Sequence, residues 1–120
     1  MSRALTSAQF SRGEHLLIVE HGRTNPVVVL KPRGVTPMPE YIEVELASGG
    51  KRQVYEQELF VPSPALDAYL ELQQSYLRAR GKPGDPGRGH WQDQLKAAEN
   101  RAFAAHPAGA AWLRKNGIKI

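Results

Sequence analysis

The spacing of apolar residues changes at Ser63-Pro64, and this change limits the possible folds more than any other feature of the chain. Before it, apolar residues come in short branched runs or in strict alternation, the spacing of strands. After it they recur near every third or fourth residue, the spacing of a helix face. In the first half, Leu16-Leu17-Ile18-Val19 and Pro26-Val27-Val28-Val29-Leu30 read as two antiparallel strands. The segment His21-Gly22-Arg23-Thr24-Asn25 between them has turn composition. Pro32, Gly34, Pro37 and Pro39 make the next stretch a loop or edge connection, because proline lacks a donor. Tyr41 to Leu46 then alternates, with Ile42, Val44 and Leu46 on a core face and Tyr41, Glu43 and Glu45 on a wet one. Ser48-Gly49-Gly50 signals a hairpin, and Arg52-Gln53-Val54-Tyr55 is the return strand. Glu56-Gln57-Glu58 breaks the alternation; one helical turn there drops Leu59 into the core before Phe60 and Val61 extend again.

This order resembles the small Src-homology-3-like barrels, the Tudor and KOW group among them. Those have about five short strands, a tight hairpin between the third and fourth, and a helical turn before the fifth. The resemblance covers residues 12–61. It implies a small five-stranded antiparallel Src-homology-3-like barrel within residues 1–62, behind a short N-terminal tail; with the C-terminal helical region of two to three helices that the later spacing gives, the expected class is α+β. It is a resemblance of architecture and brings no activity with it.

The second half divides further. Ser63 and Pro64 suit a helix start, and Leu66, Tyr69, Leu70, Tyr76 and Leu77 form an amphipathic stripe over about 64–80 that Gly81 stops. The expected units are thus a helix in 63–81, a Gly/Pro linker in 82–89 and a helical arm in 90–120. Within the arm, Trp91, Leu95, Ala98 and Ala102 define one helix over about 91–105. Pro107 opens a second that carries Trp112 and Leu113 and ends at Asn116-Gly117.

Composition excludes several chemistries. There is no cysteine, hence no disulfide framework, thiolate metal site or thiol catalysis. The apolar run Leu16 to Val19 is far below the roughly 20 residues that span a bilayer, and the N-terminus lacks a signal-like stretch. A cytoplasmic protein without membrane association is expected. His15, His21, His90 and His106 lack metal-site spacing. Glu43 and Glu45 could meet Glu56 or Glu58 across the hairpin, but an outer sheet face favours solvated carboxylates. The serines fall in turns and caps, and Gly81-Lys82-Pro83-Gly84 lacks the context of a phosphate loop. No enzymatic activity and no cofactor are expected.

Charge is distributed unevenly. Residues 1–62 hold seven basic and seven acidic side chains; residues 63–120 hold nine and five, so the net +4 lies in the helical half. Arg78, Arg80, Lys82 and Arg88 form a basic run broken by Asp85, and Arg114 and Lys115 form a second cluster. Cations at a helix C-terminus answer its dipole, which accounts for Arg78, but Lys82 and Arg88 have no such duty. These six residues are the candidate contacts to nucleic acid or an acidic partner; Tyr76 and Trp91 bracket the run and could stack on bases, but their amphipathic placement favours core packing. The leading expectation is a non-catalytic accessory protein of a nucleic-acid or nucleoprotein machine. The alternative is a structural or inhibitory interaction subunit, of the kind small viral and mobile-element proteins provide. It would dock on a larger protein through Trp91, Phe103, Trp112 and Leu113.

Overall fold

A computed structural model describes residues 9–32 and 41–119. The expected loop residues Gly34, Pro37 and Pro39 lie outside them. Four strands, β1 (His15–Glu20), β2 (Arg23–Lys31), β3 (Tyr41–Leu46) and β4 (Lys51–Tyr55), form an antiparallel meander in chain order. The first turn is tighter than its composition suggested. Only His21 and Gly22 are outside the ladder, both with positive φ (52° and 77°), and Glu20 pairs with Arg23. Two consecutive positive φ values match the right-handed twist of the strands they join.

Pro26 sits inside β2 opposite Leu17 without leaving a ladder bond unmade. Leu17 turns both its backbone groups to Phe60, so it has no bond to give Pro26, whose nitrogen points beyond the last β3 pair, Val27–Leu46. Leu30 is an extra residue between the Val29–Val44 and Lys31–Glu43 pairs, a bulge that bends β2. The second hairpin closes on Leu46 and Gly50, whose N–H and C=O bond at 2.7 Å, with Gly49 at φ 93°. It is a three-residue loop rather than the shortest kind. Ile42, Val44 and Val54 are buried and Glu45 is exposed, as the alternation requires.

A 3-10 turn, Glu56–Glu58, follows β4, and Glu58 Oε2 accepts the Tyr55 N–H at 2.7 Å. It sends Leu59 into the core, and Phe60 then makes a single bridge to Leu17. The expected fifth strand is thus reduced to one residue pair. Pro62 and Pro64 lack the donors to extend a ladder, and Ser63 is already a helix cap. Among the described residues no ladder joins β1 to β4, so the sheet is open. Its two edge strands meet only through side chains, with Arg52 Nη1 3.4 Å from Glu20.

Three helices complete the chain: α1 (Pro64–Ala79), α2 (Arg88–Phe103) and α3 (Pro107–Lys115). Ser63 Oγ accepts the Leu66 N–H at 3.0 Å, capping α1. α2 starts at Arg88, taking Arg88 and Gly89 out of the expected linker. α3 is capped by a histidine: His106 Nδ1 accepts the Ala108 N–H at 2.9 Å, leaving the Nε2 proton to donate to Glu14 Oε2. No helix among the described residues is long and apolar enough to cross a membrane.

Sheet and helices share one core, in which Phe10, Leu16, Val44 and Phe60 join Leu66, Ala102, Phe103 and Leu113. Phe103 lies 6.1 Å from Phe10, 6.3 Å from Phe60 and 5.8 Å from Trp112, centroid to centroid. The arm therefore belongs to the folded body. Gly109 permits this packing. A Cβ there would lie 1.9 Å from the Phe103 carbonyl oxygen, so only glycine lets α3 rest on the end of α2.

Two substitutions test this arrangement by thermal and denaturant unfolding. Leu113→Ala is expected to cost about 2–5 kcal/mol, as for a core leucine, whereas a leucine reserved for a partner would cost little. In an ordinary helix Gly→Ala gains about 0.5–1 kcal/mol. Gly109→Ala is expected to destabilise instead, and an unchanged or raised melting temperature would refute the close approach.

Candidate nucleic-acid interface

The α1 and α2 helices run antiparallel as a hairpin. Tyr69 OH donates to Glu99 Oε2 at 3.4 Å in its middle, and the Tyr76 and Trp91 rings meet near its tip, 5.8 Å apart. The tip is the Gly/Pro segment, and its conformation depends on Asp85. One carboxylate oxygen accepts the Gly87 N–H at 3.0 Å and the Trp91 indole N–H at 2.9 Å; the other accepts the Gly81 N–H at 3.1 Å. Gly81, Gly84 and Gly87 have φ values of 74°, 86° and 100°, which explains the glycine content of these turns. The bonds from Gly87, Trp91 and Gly81, in that order, hold the Asp85 carboxyl below the ordinary carboxylate value of 3.8.

Around this frame Arg78, Arg80, Lys82 and Arg88 are all exposed at one end of the hairpin. The Arg80 guanidinium carbon is 6.0 Å from the Tyr76 ring centroid, and Arg78 Nη2 lies 3.4 Å from Ser75 Oγ. The first turn of α2 carries Arg88 and no acidic residue, and its Gly87 cap has no side chain to bond the free amides. That is the reverse of the usual complement to a helix dipole, and it adds to the positive potential at the tip. Between the two helices a recess of about 150 Å³ is lined by Tyr76, Arg88, Trp91, Gln92 and Leu95.

The remaining expected site residues lie elsewhere. Arg114 and Lys115 are exposed at the end of α3, next to Trp112 and Leu113, which pack beside Asn100 and Phe103. Arg88 is twelve residues from Asn100, roughly 18 Å along α2, so the two basic clusters are separate. Of the four expected docking side chains, Phe103 and Leu113 are only 2% and 1% exposed and offer a partner no surface. Their helical spacing suits a core as well as an interface, and the sheet claims them. Trp91 and Trp112 are half-buried, Trp91 at the tip and Trp112 edge-on to Phe103.

Asp85, which in the sequence only interrupts the basic run, is the residue holding the candidate site's tip that pattern reading missed. Its Asp-Pro-Gly context is a turn signal, with the aspartate bonding its own backbone two residues on. Sequence contained no signal for the contact of Glu14 with His106.

Glu43 faces Gln53 and Glu45 faces Lys51, so neither meets Glu56 or Glu58 across the hairpin. Burial, then the nearby Glu99, pushes the Tyr69 phenol up to about 12, so it stays protonated at neutral pH. A polar cleft of about 310 Å³ at the open side of the sheet holds Glu20, Glu58 and Glu99. Glu20 pairs with Arg52, Glu58 caps Tyr55, and Glu99 bonds Lys96 at 3.2 Å. Among the described residues no group of three or more potential metal ligands converges. Compared with family models, curated proteins and solved structures, the chain matches none.

The Asp85 frame predicts a pH dependence of known sign. A carboxyl depressed in the folded state contributes fully above its ordinary value of 3.8 and loses that contribution as pH falls through its lower folded value. The Trp91 indole N–H resonance is therefore expected to move as pH falls through that range. Asp85→Ala should produce the moved resonance already at neutral pH. An indole signal indifferent to both would show that Asp85 does not hold the tip.

Proposed function

We propose that this chain is a non-catalytic binding protein of a nucleic-acid or nucleoprotein assembly in the cytoplasm, and that it engages phosphates through the tip of the α1–α2 hairpin. One observation carries the reading: four cations, Arg78, Arg80, Lys82 and Arg88, share one end of the hairpin with the Tyr76–Trp91 pair. Solvation of a helix end explains one or two such cations. It does not explain a connector that carries Lys82, continues into Arg88 and is held by three bonds to one carboxylate. Arg114 and Lys115 form a second, weaker contact area. The docking-arm alternative keeps Trp91 and Trp112 but gives up Phe103 and Leu113 to the core, which leaves it few anchors.

The same proposal reads the sheet as an open Src-homology-3-like barrel. The Leu17–Phe60 bridge lies on the free side of β1, where the fifth strand of such a barrel would pair. In this reading the sheet is the scaffold and the helical hairpin is the binding element.

The test is a salt titration of binding to DNA and RNA. Replacing Arg80, Lys82 and Arg88 together by alanine is expected to weaken binding whatever the base sequence. The slope of log K against log salt should fall by about 0.7–0.9 for each phosphate that the variant no longer neutralises. Replacing Arg114 and Lys115 should have the smaller effect. Wild-type protein that binds neither nucleic acid at about 50 mM salt would overturn the proposal.

A further inference from the structure

The recess at the hairpin tip has a shape that charge does not account for. Its wall is made of the Tyr76 and Trp91 rings and Leu95, with Arg88 and Gln92 also lining it, in a volume of about 150 Å³. The two rings are inclined at 57° with centroids 5.8 Å apart, so they form an open wedge and do not cover each other's faces. Trp91 is already oriented by its bond to Asp85 Oδ1. A ligand stacking on it therefore does not bear the cost of freezing that side chain. Arg80 lies by the Tyr76 ring, so cations stand beside the apolar wedge.

We infer that this recess receives one unpaired base of a single-stranded nucleic acid. The base lies against the Trp91 and Tyr76 rings over Leu95, and the flanking phosphates meet Arg80 and Arg88. A flat π-face beside a negative linker is what this combination of aromatic wedge and cationic border complements. A duplex keeps its bases stacked inside and would use the cations alone. An acidic peptide would satisfy the charges and leave the wedge without a planar occupant. Gln92 both donates and accepts, so it can meet any base edge and implies little sequence preference. The inference rests on the phosphate-binding reading above and narrows its ligand to single strands.

The experiment uses the full chain with Trp112→Phe, so that Trp91 is the only tryptophan. Its fluorescence is followed as three probes are added at one salt concentration: a thymine oligonucleotide, a duplex of equal length and inorganic polyphosphate. The single strand is expected to bind about tenfold tighter than the duplex and to quench Trp91, while polyphosphate binds without quenching. Tyr76→Leu keeps the apolar packing and removes the ring. It is expected to abolish the single-strand preference. Equal affinity for all three probes, or a preference that survives Tyr76→Leu without quenching, would overturn the base recess and leave the phosphate-binding surface standing. Failure to bind any of the three would overturn both.

Discussion

The packing of Phe103 holds the two halves of this protein together. The chain is too short for its sheet and its helices each to bury a sufficient core alone. Phe103 is the last residue of α2, and it touches Phe10 ahead of the sheet, Phe60 at the bridge to β1, and Trp112 on α3. A residue with neighbours in three directions sets where the helical hairpin stands relative to the sheet. The part-buried contact of Glu14 with His106 reinforces the same junction, since that histidine also caps α3. Gly109 serves it too, by letting α3 approach the α2 terminus.

The open sheet follows from where the chain must go next. After Phe60 only Val61 remains before Pro62, and Ser63 is committed to capping α1. A longer fifth strand would need donors that the prolines lack and would delay the helix. One bridge is enough to protect the backbone of Leu17, while α1 and α2 cover the apolar face. Tyr69 packs 6.0 Å from Phe60, linking the bridge to the hairpin.

At the other end of that hairpin, charge and shape have separate origins. The cations belong to the sequence and would be there in an unfolded chain. The wedge of Tyr76 and Trp91 exists only because two helices lie side by side. Asp85 couples the two, since its bonds to Gly81, Gly87 and Trp91 place the connector and the ring together. An acidic residue at the centre of a basic tip would oppose polyanion binding if its charge faced outward. Here its oxygens are occupied by three N–H donors, which makes it part of the frame.

The sequence by itself determined the class of fold and the placing of most elements, because periodicity and caps act locally. The alternation of Ile42 and Val44, the Ser63-Pro64 helix start and the stop at Gly81 all depend on neighbours a few residues away. It likewise determined that the positive charge is in the helical half and that Arg78, Arg80, Lys82 and Arg88 are near one another along the chain. Only the tertiary structure decided which apolar residues are core. Phe103 and Leu113 have the helical spacing that either a core or an interface would use, and the choice depends on whether the sheet reaches them. It also decided that Arg114 and Lys115 stand apart from the other cations, that the last strand is a single bridge, and that Glu14 finds His106 across most of the chain. Each of these depends on residues distant in sequence meeting in space, and local spacing holds no information about such meetings.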